Sequence, residues 1–365
     1  MTVRFNVKPE GRRLCAALMF LTASPSAALA NDIEIFGQLT IRAVDELEPI
    51  KTSIDDWGSQ FTGGERQWIR ARAELGFRVD QWELSVFNRA LADLRMNEEA
   101  VAFYGKIARG ESFESGQQIP VNVRAESFTA EGLRLGYRFA TDTLVVRTGL
   151  SVFRSDYLYS GSLDGTFSTT EGDTFDLRAE VDYVYHRDIL LRRPNVEPAT
   201  GTGFSLDVHA DWQAMPGLRI ELGAEDLAAR IRWRNAPFTR ATANTERRST
   251  GDAGFSGLKP TIEGVEGYRP HYTQRLSPKF DGALELGDGA FRPRIELVHQ
   301  FDDTYAGIGG VLASTSAHQF GLMLYPKYNS VGFRLHSGQF SAELSADDVD
   351  ERKIGAVSLS LSFGY

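Results

Sequence analysis

The chain has 365 residues, with 40 Lys and Arg against 49 Asp and Glu and a single cysteine, Cys15. This acidic balance argues against nucleic-acid binding and against binding to anionic lipid through charge. After residue 30 no apolar run approaches 18 residues, which excludes helical membrane spans from that part of the sequence. The motifs of phosphate-binding, dinucleotide-binding and zinc proteins are also missing, so we expect no enzyme, no cofactor and no metal site.

Residues 1–30 have the pattern of a cleaved secretory signal peptide. Four basic residues lead into an apolar run at 14–21, and Ala28-Leu29-Ala30 is a small-x-small cleavage site. A membrane anchor is the alternative, which the short apolar run disfavours. Cleavage would remove four of the basic and one of the acidic residues, which takes the formal charge from −9 to −12. The rest of the chain, 31–365, is predicted to be one domain.

Apolar and polar residues alternate along most of this domain, as they do in strands with one apolar and one polar face. The pattern predicts an all-β fold with about 14 strands, or 12 if the weak segment at 157–169 is rejected and neighbours are merged. The predicted strands are Ile33–Arg42, Trp68–Val79, Trp82–Leu91, Phe128–Phe139, Thr143–Phe153, Tyr157–Thr169, Phe175–His186, Gly203–Gln213, Leu218–Arg232, Tyr272–Leu286, Phe291–Phe301, Ser316–Tyr325, Ser330–Ala346 and the last, from Val357.

Three details of this scheme can be tested. The phase change at Ser337-Gly338 indicates a β-bulge, with a hairpin as the alternative. Residues Asn97–Arg109 are compatible with a short helix. The segment 233–271, rich in Gly, Pro and charge, is predicted as a long and mostly irregular loop. In a barrel, such a loop can fold inward as a constriction or cover the opening of the lumen. The constriction candidates are Arg240, Arg247 and Arg248. The alternative is a surface loop exposed to lipopolysaccharide, phage or host.

The last residues, KIGAVSLSLSFGY, alternate strictly from Val357 and end on Tyr365. This ending, together with the export signal, the alternating strands and the short turns set against long loops, resembles what is found in porin-like outer-membrane β-barrels of Gram-negative bacteria. No narrower family is assigned. The resemblance implies a closed antiparallel transmembrane β-barrel in the outer membrane. It also implies that Phe363 and Tyr365 belong to the signal read by the barrel-assembly machinery. The last strand should pair with Ile33–Arg42 to close the barrel.

If the apolar phase faces lipid, the opposite phase lines the lumen and is densely charged. Arginine offers a fixed fork of donors suited to carboxylate or phosphate. A candidate basic wall and a set of acidic residues are predicted in the lumen. The basic wall is Arg70, Arg72, Arg78, Arg134, Arg138 and Arg147, and the acidic set is Asp176, Glu180, Asp182, Asp207 and Asp211.

Two functional hypotheses follow from this lumen. The first is a channel for small polar or anionic solutes. The second is an occluded structural or binding barrel whose outer loops contact an envelope or extracellular partner. A barrel enzyme is the least favoured alternative. His209 lies between two aspartates, and such a group could be an acid/base or metal cluster but is more often part of a charged lumen. His336 and Ser337 cannot form a catalytic pair, because adjacent residues point to opposite faces of a strand.

Overall fold

The computed structural model describes residues 33–61, 63–170, 174–188, 190–191, 193–244, 248–250, 256–258, 261–313 and 318–364. The predicted signal peptide and Tyr365 lie outside these residues. Strands dominate the described part, together with the helices α1 (Ile50–Asp55) and α2 (Glu98–Arg109). The strands are β1 (Ile33–Asp45), β2 (Arg66–Val79), β3 (Trp82–Met96), β4 (Gln118–Ala140), β5 (Leu144–Thr170), β6 (Thr174–Tyr185), β7 (Thr200–Met215), β8 (Leu218–Glu225), β9 (Arg230–Asn244), β10 (Arg248–Thr250), β11 (Ser256–Leu258), β12 (Thr261–Arg275), β13 (Lys279–Leu286), β14 (Phe291–Gln300), β15 (Asp303–Ala313), β16 (His318–Tyr325), β17 (Ser330–Ser337), β18 (Phe340–Ala346) and β19 (Ala356–Phe363).

The main sheet closes on itself into an antiparallel barrel. β1 pairs with β2 on one side and with β19 on the other, in a register that runs from Gly37 opposite Phe363 to Val44 opposite Ala356. The predicted closing pair is therefore confirmed. Phe363 lies across Gly37, where an added Cβ would stand 2.3 Å from the ring. A glycine at this position lets the aromatic ring pack flat against the seam.

Seventeen strands of the described residues pair in the main sheet, so the predicted number of about 14 is wrong. Residues 157–169 do not form a separate strand, because β5 continues through them to Thr170. The first half of β5 pairs with β7 and its second half with β6, so β6 and β7 lie end to end along one neighbour. The prediction missed β15. Three glycines among its 11 residues weaken the alternation on which the prediction relied.

The segment 330–346 was also predicted incorrectly. It divides into β17 and β18, which pair from Ser337 opposite Phe340 to Val331 opposite Ala346. Gly338 has a φ of +61° in the turn between them. The alternative hairpin is thus the observed structure, and the phase change arises from a two-residue turn of the kind that favours glycine.

The segment 233–271, predicted as an irregular loop, is largely a β-hairpin. β9 and β12 pair from Arg230 opposite Arg275 to Asn244 opposite Thr261, and β10 pairs with β11 near its tip. Both faces of its outer half carry polar residues, so no apolar alternation marked the strands. The helix predicted at Asn97–Arg109 is confirmed as α2, which ends at Gly110 in the left-handed conformation.

The barrel wall has very unequal height. β4 and β5 have 23 and 27 residues, whereas β16, β17 and β18 have eight, eight and seven. At about 3.3 Å per residue, β4 is roughly 75 Å long and the short strands about 25 Å. A hydrocarbon core of about 30 Å is therefore matched by the short strands and exceeded by the long ones. We call β4, β5, β6, β9 and β12 the tall wall, and β14 to β19 the short wall.

Large apolar side chains are exposed on the outer face all around the barrel. Examples are Leu133, Leu150, Leu222, Ile295 and Leu344, each at least 49% exposed. Aromatic residues gather near the end where the short turns lie, among them Trp82, Tyr137, Trp212, Phe291, Phe320 and Phe340. An apolar belt with an aromatic border is typical of membrane-spanning barrels. Among the described residues, no helix is both long enough and apolar enough to cross a bilayer.

Candidate functional site

The lumen is the candidate site, since strand alternation sends one set of side chains inward at every level. On β2 the inward side chains are Trp68, Arg70, Arg72, Glu74 and Arg78, while Ile69, Leu75 and Phe77 are exposed outside. This matches the predicted assignment of the two faces. Arg78 and Glu74 are only 7% exposed, so these two inward charges are largely shielded from bulk water.

One level of the lumen is filled by an apolar layer that comes from all parts of the wall. Its large side chains come from β2, β3, β4, β5 and β9. The short wall contributes Phe301, which follows β14, and Ala356, the first residue of β19. Phe128, Leu158 and Trp233 are each 1% exposed. The principal members of the apolar layer are Trp68, Phe87, Phe128, Phe153, Leu158, Ile231, Trp233 and Phe301. The layer crosses the lumen at the height where the short wall ends, since the rings of Trp68 on β2 and Phe301 after β14 are 5.8 Å apart.

A second level, nearer the short-turn end, is an ion-pair layer. Arg72 contacts Glu74 at 2.8 Å and Asp207 at 3.3 Å, and Arg134 lies within 3.8 Å of the same two carboxylates. Asp226 receives both Arg70 and Arg89. The ion-pair layer consists of Arg70, Arg72, Arg89, Arg134, Glu74, Asp207, Glu225 and Asp226. Because β2 and β7 are separated by three strands along the sheet, the pair Arg72–Asp207 bridges the lumen.

A glycine makes room for this layer. Gly149 faces inward on β5, and a Cβ there would lie 2.2 Å from Nε of Arg134. The guanidinium of Arg134 therefore occupies the space in which a larger side chain on β5 would stand.

The kink between β8 and β9 also positions a member of the ion-pair layer. Asp226 adopts a φ of +59° there, and its N–H donates to Asp207.

The six residues of the predicted basic wall do not form an unpaired basic surface. Arg70, Arg72, Arg78 and Arg134 each contact carboxylates, Arg78 through Glu34 and Glu83. Arg138 and Arg147 face each other across β4 and β5 closer to the short-turn end. The structure brings four of the six into one network with acidic partners, and their role in solute selectivity stays a prediction.

The predicted acidic residues divide between two levels. Asp207 lies in the ion-pair layer, and Asp211, also on β7, pairs with Arg219. Asp176, Glu180 and Asp182 lie on β6 in the tall wall. There Asp182 contacts Arg240 at 2.7 Å and Arg269 at 2.6 Å.

The other predicted sites have different outcomes. Arg240 lies on β9 and is bound to Asp182, so it belongs to the hairpin of the tall wall and not to an inward-folded loop. Arg248 lies on β10, while Arg247 falls outside the described residues. Of the two assembly-signal residues, Phe363 ends β19 and Tyr365 is not described.

Two features of the lumen were not predicted from the sequence. The apolar layer is one, although Trp68, Phe87 and Phe153 lie on the polar phase of their strands and could have indicated it. The other is the set of partners on the short wall, where Glu296 contacts Arg294 at 2.7 Å and Arg334 at 2.8 Å. Arg334 also binds Glu343. Charge pairs therefore line both sides of the barrel below the apolar layer.

The histidines give no assembled catalytic array in the described part of the chain. His336 faces the lumen beside Gln319, whereas Ser337 faces outward and lies 2.9 Å from Nδ1 of His318. That serine–histidine contact lies on the outer face near the short-turn end. No group of three His, Cys, Asp or Glu side chains among the described residues is arranged to hold a metal.

Comparison with known proteins adds only distant likenesses. No family model and no curated protein matches the chain. A TodX deltaS2S3 mutant monoaromatic hydrocarbon channel aligns with a TM-score of 0.43 at 9% identity, over 92% of this chain and 91% of that one. The P. putida toluene transporter TodX gives 0.39 at 8% over 92% and 91%, and the NalP translocator domain from Neisseria meningitidis gives 0.29 at 11% over 96% and 92%. These scores are too low to identify a function.

The closed sheet and its apolar outer belt decide the fold by themselves. The chain has the fold of an outer-membrane β-barrel.

Proposed function

We propose that the protein is an outer-membrane channel for small polar solutes and that the apolar layer is its closed gate. The observation that carries this proposal is the position of that layer between two charged compartments. Above it, the inner face of the tall wall presents ion pairs such as Asp182–Arg269, and below it lies the ion-pair layer. Hydrophobic constrictions gate channels by excluding water, so one such layer is sufficient to close a polar path.

The charged compartments support polar cargo. A lumen that only stabilised the barrel would be better filled with apolar side chains, because replacing a buried ion pair with apolar residues is often neutral or stabilising. Ionisable residues at membrane depth are also expensive to keep, so they usually indicate a functional site. Mixed charge favours small polar solutes in general, and the high share of arginine favours anions among them.

The apolar belt, about as high as the short wall, supports placement in a membrane with the tall wall on the outer side. This orientation agrees with short periplasmic turns and longer outer loops. Export by a signal peptide, recognition of β19 by the barrel-assembly machinery and contact with lipopolysaccharide belong to the same proposal. Heat-modifiable gel mobility and solubility only in detergent are expected, and a water-soluble monomer would contradict it.

Planar bilayers test the gate directly. The wild type should remain closed most of the time, whereas Phe128→Ala combined with Leu158→Ala should give frequent conductance steps, because both side chains fill the apolar layer. The matched control is Leu133→Ala combined with Leu150→Ala, two outward residues on the same strands that are 51% exposed. The control should behave as wild type.

An occluded binding barrel is the second candidate. It is favoured by the tall wall, which carries a separate core beyond the membrane: Phe61, Val101 and Val121 are at most 5% exposed there, on the face of β4 opposite to Phe128. If correctly folded wild type and the Phe128→Ala/Leu158→Ala variant both fail to conduct, the channel proposal is wrong. The tall wall would then be the surface to test for a partner.

A further inference from the structure

Arg89 is the most unusual charged side chain in the lumen. It is 6% exposed and lies where the apolar layer meets the ion-pair layer. Its guanidinium carbon is 4.5 Å from the ring centre of Phe153 and 5.2 Å from that of Phe128. One nitrogen, Nη1, donates to Asp226 at 2.7 Å, while Nε and Nη2 are buried and have no hydrogen-bond partner in the part of the chain that the structure describes.

Unpaired buried donors are rare in proteins and each needs an explanation. The aromatic rings favour the positive charge of Arg89 but offer no acceptor lone pair to its remaining N–H groups. Arg70 repeats the situation beside it. Its Nη2 donates to Asp226 at 3.1 Å and to Glu225 at 2.9 Å, and its Nη1 is buried with no partner among the described residues. The two arginines thus have spare donors around one carboxylate.

The surroundings of Asp226 form a complete carboxylate-binding site. One oxygen accepts from Arg89 and, at 2.7 Å, from the hydroxyl of Ser205; the other accepts from Arg70. Two guanidinium groups and a hydroxyl around a carboxylate are what a protein uses to recognise a carboxylate ligand. Here the ligand position is filled by a side chain of the protein itself.

Asp226 is also the carboxylate of this layer that is best placed to leave. Glu74, Asp207 and Glu225 lie on strands with continuous pairing, whereas Asp226 lies in the kink after β8 at a φ of +59°. A non-glycine residue held in this region is strained. Moving the kink would free Arg89, the Ser205 hydroxyl and one contact of Arg70, whose hydrogen bond to Glu225 would remain, without breaking a strand.

We propose that Arg70, Arg89 and Ser205 form a binding site for the carboxylate group of a small solute, which Asp226 occupies as an internal substitute when no solute is bound. This inference rests on the proposed function and narrows its solute class to small carboxylates. Exchange of one carboxylate for another keeps the layer electrically balanced. It would also leave the spare donors of Arg70 and Arg89 free to bind a second oxygen-bearing group of the solute.

Acetate is the probe for this site, and stability in detergent is the measurement. For Asp226→Ala, the denaturant midpoint should rise saturably with sodium acetate, relative to sodium chloride at equal ionic strength. Wild type should show the same rise with a half-saturating concentration at least tenfold higher, because Asp226 competes. Neutral acetamide should have no effect on either protein.

Two arginine variants in the Asp226→Ala background make the test specific. Arg89→Gln should abolish the acetate response. Arg154→Gln, at an arginine that is 72% exposed and paired with Glu131 outside the layer, should leave it unchanged. Heat-modifiable mobility shows whether each variant has folded. If Asp226→Ala is too unstable to fold, Asp226→Asn replaces it in the same comparison.

Three results would overturn the inference. They are no acetate response in Asp226→Ala, an equal response after Arg89→Gln, and no response of the wild type at acetate concentrations up to a hundredfold above the one that saturates Asp226→Ala. The last would make Asp226 a permanent internal partner. Because binding is measured in detergent, it does not depend on conduction. Acetate binding without conductance would refute the channel alone, and conductance without acetate binding would refute the carboxylate site alone.

Discussion

The apolar layer and the ion-pair layer are neighbours in one lumen, yet they tolerate change differently. The apolar layer depends mainly on fit: Phe128 and Leu158 fill space, and Trp233 adds one hydrogen bond, from its Nε1 to Gln274 at 3.2 Å. In the ion-pair layer each side chain depends on others, because Arg72 and Arg134 share both Glu74 and Asp207. Loss of one member leaves a buried charge without compensation, whereas a truncated apolar side chain leaves a cavity.

This difference has a functional side. A layer that depends on fit can open by a small displacement that admits water, which suits a gate. A layer of shared charges can exchange partners while its total charge is kept, which suits the passage of a charged group. The two layers therefore have separate roles in the proposed channel, and variants in each should be separable by experiment.

The largest effect is expected from Glu74→Ala in the ion-pair layer. The Glu74 side chain is 3% exposed, pairs with Arg72 and Arg134 and accepts a hydrogen bond from Ser85 at 2.6 Å. Removing one partner of a buried charge network costs about 3–5 kcal/mol. Denaturant unfolding of the protein in lipid vesicles should show this loss.

Glu131→Ala is the matched control for that measurement. Glu131 also pairs with an arginine, Arg154 at 2.7 Å, but the two side chains are 56% and 72% exposed. Exposed pairs contribute about 0–1 kcal/mol. Equal losses for the two variants would show that the ion-pair layer is hydrated and that the contrast between the layers is wrong.

A smaller loss is expected from Gly203→Ala, which overfills the apolar layer. An added Cβ would lie 2.4 Å from the Phe153 ring and 2.8 Å from a backbone oxygen. Overpacking of this kind costs about 1–3 kcal/mol. Gly282→Ala is the control, since its nearest neighbour would be 3.4 Å away, in ordinary contact.

The double variant Gly203→Ala/Phe153→Leu gives a further check on fit. The shorter leucine vacates the space that the new methyl group needs, so it should recover part of the loss in unfolding free energy. Residues in contact show such non-additive effects. If the two losses simply add, Phe153 and Gly203 do not share the space and the apolar layer is not held by fit at this point.

The seam of the barrel could be predicted because its strands have one clearly apolar face. Strict alternation from Val357 to Phe363 fixes which face meets lipid, and a slip by one residue would reverse it. The outer half of the tall wall has no strictly apolar face that could have marked its strands. Beyond the membrane neither face of β9 and β12 needs to be apolar, so the sequence there predicted a loop.

The lumen shows the same limit. Its charged residues could be identified from their phase on each strand, but not their partners. Contacts such as Arg72–Asp207 cross the barrel and depend on its circumference and on the kink at Asp226. Periodicity along the chain contains neither quantity. The prediction of the basic wall therefore lacked the acids that the closed barrel brings opposite its arginines.

Glu48 offers the smallest expected effect and a third kind of environment, a buried carboxylate that forms no ion pair with any described residue. It lies after β1, outside the membrane-spanning strands, and is 5% exposed. Burial raises the pKa of its carboxyl above the usual 4.5, although hydrogen bonds from the Gly58 and Gln60 N–H groups and the Ser53 hydroxyl act against this. The nearby groups Asp45, Asp56 and Tyr104 supply no positive charge.

A raised acid pKa makes the folded segment bind its proton more tightly than the unfolded one. Stability of the segment around α1 should therefore be highest below pH 4.5, fall as the pH rises from 4.5 to the folded pKa, and stay constant above it. Hydrogen exchange at the Gly58 and Gln60 amides, corrected for intrinsic rates, should show faster local opening at pH 7 than at pH 4. Glu48→Gln keeps an acceptor for these amides and removes the charge, so its opening should change less between pH 4 and pH 7 than that of the wild type. The remaining change belongs to the neighbouring buried carboxyl of Asp45. An equal pH dependence in wild type and variant would mean that Glu48 is compensated like the carboxylates of the ion-pair layer, and the distinction between paired and unpaired buried acids would not hold in this protein.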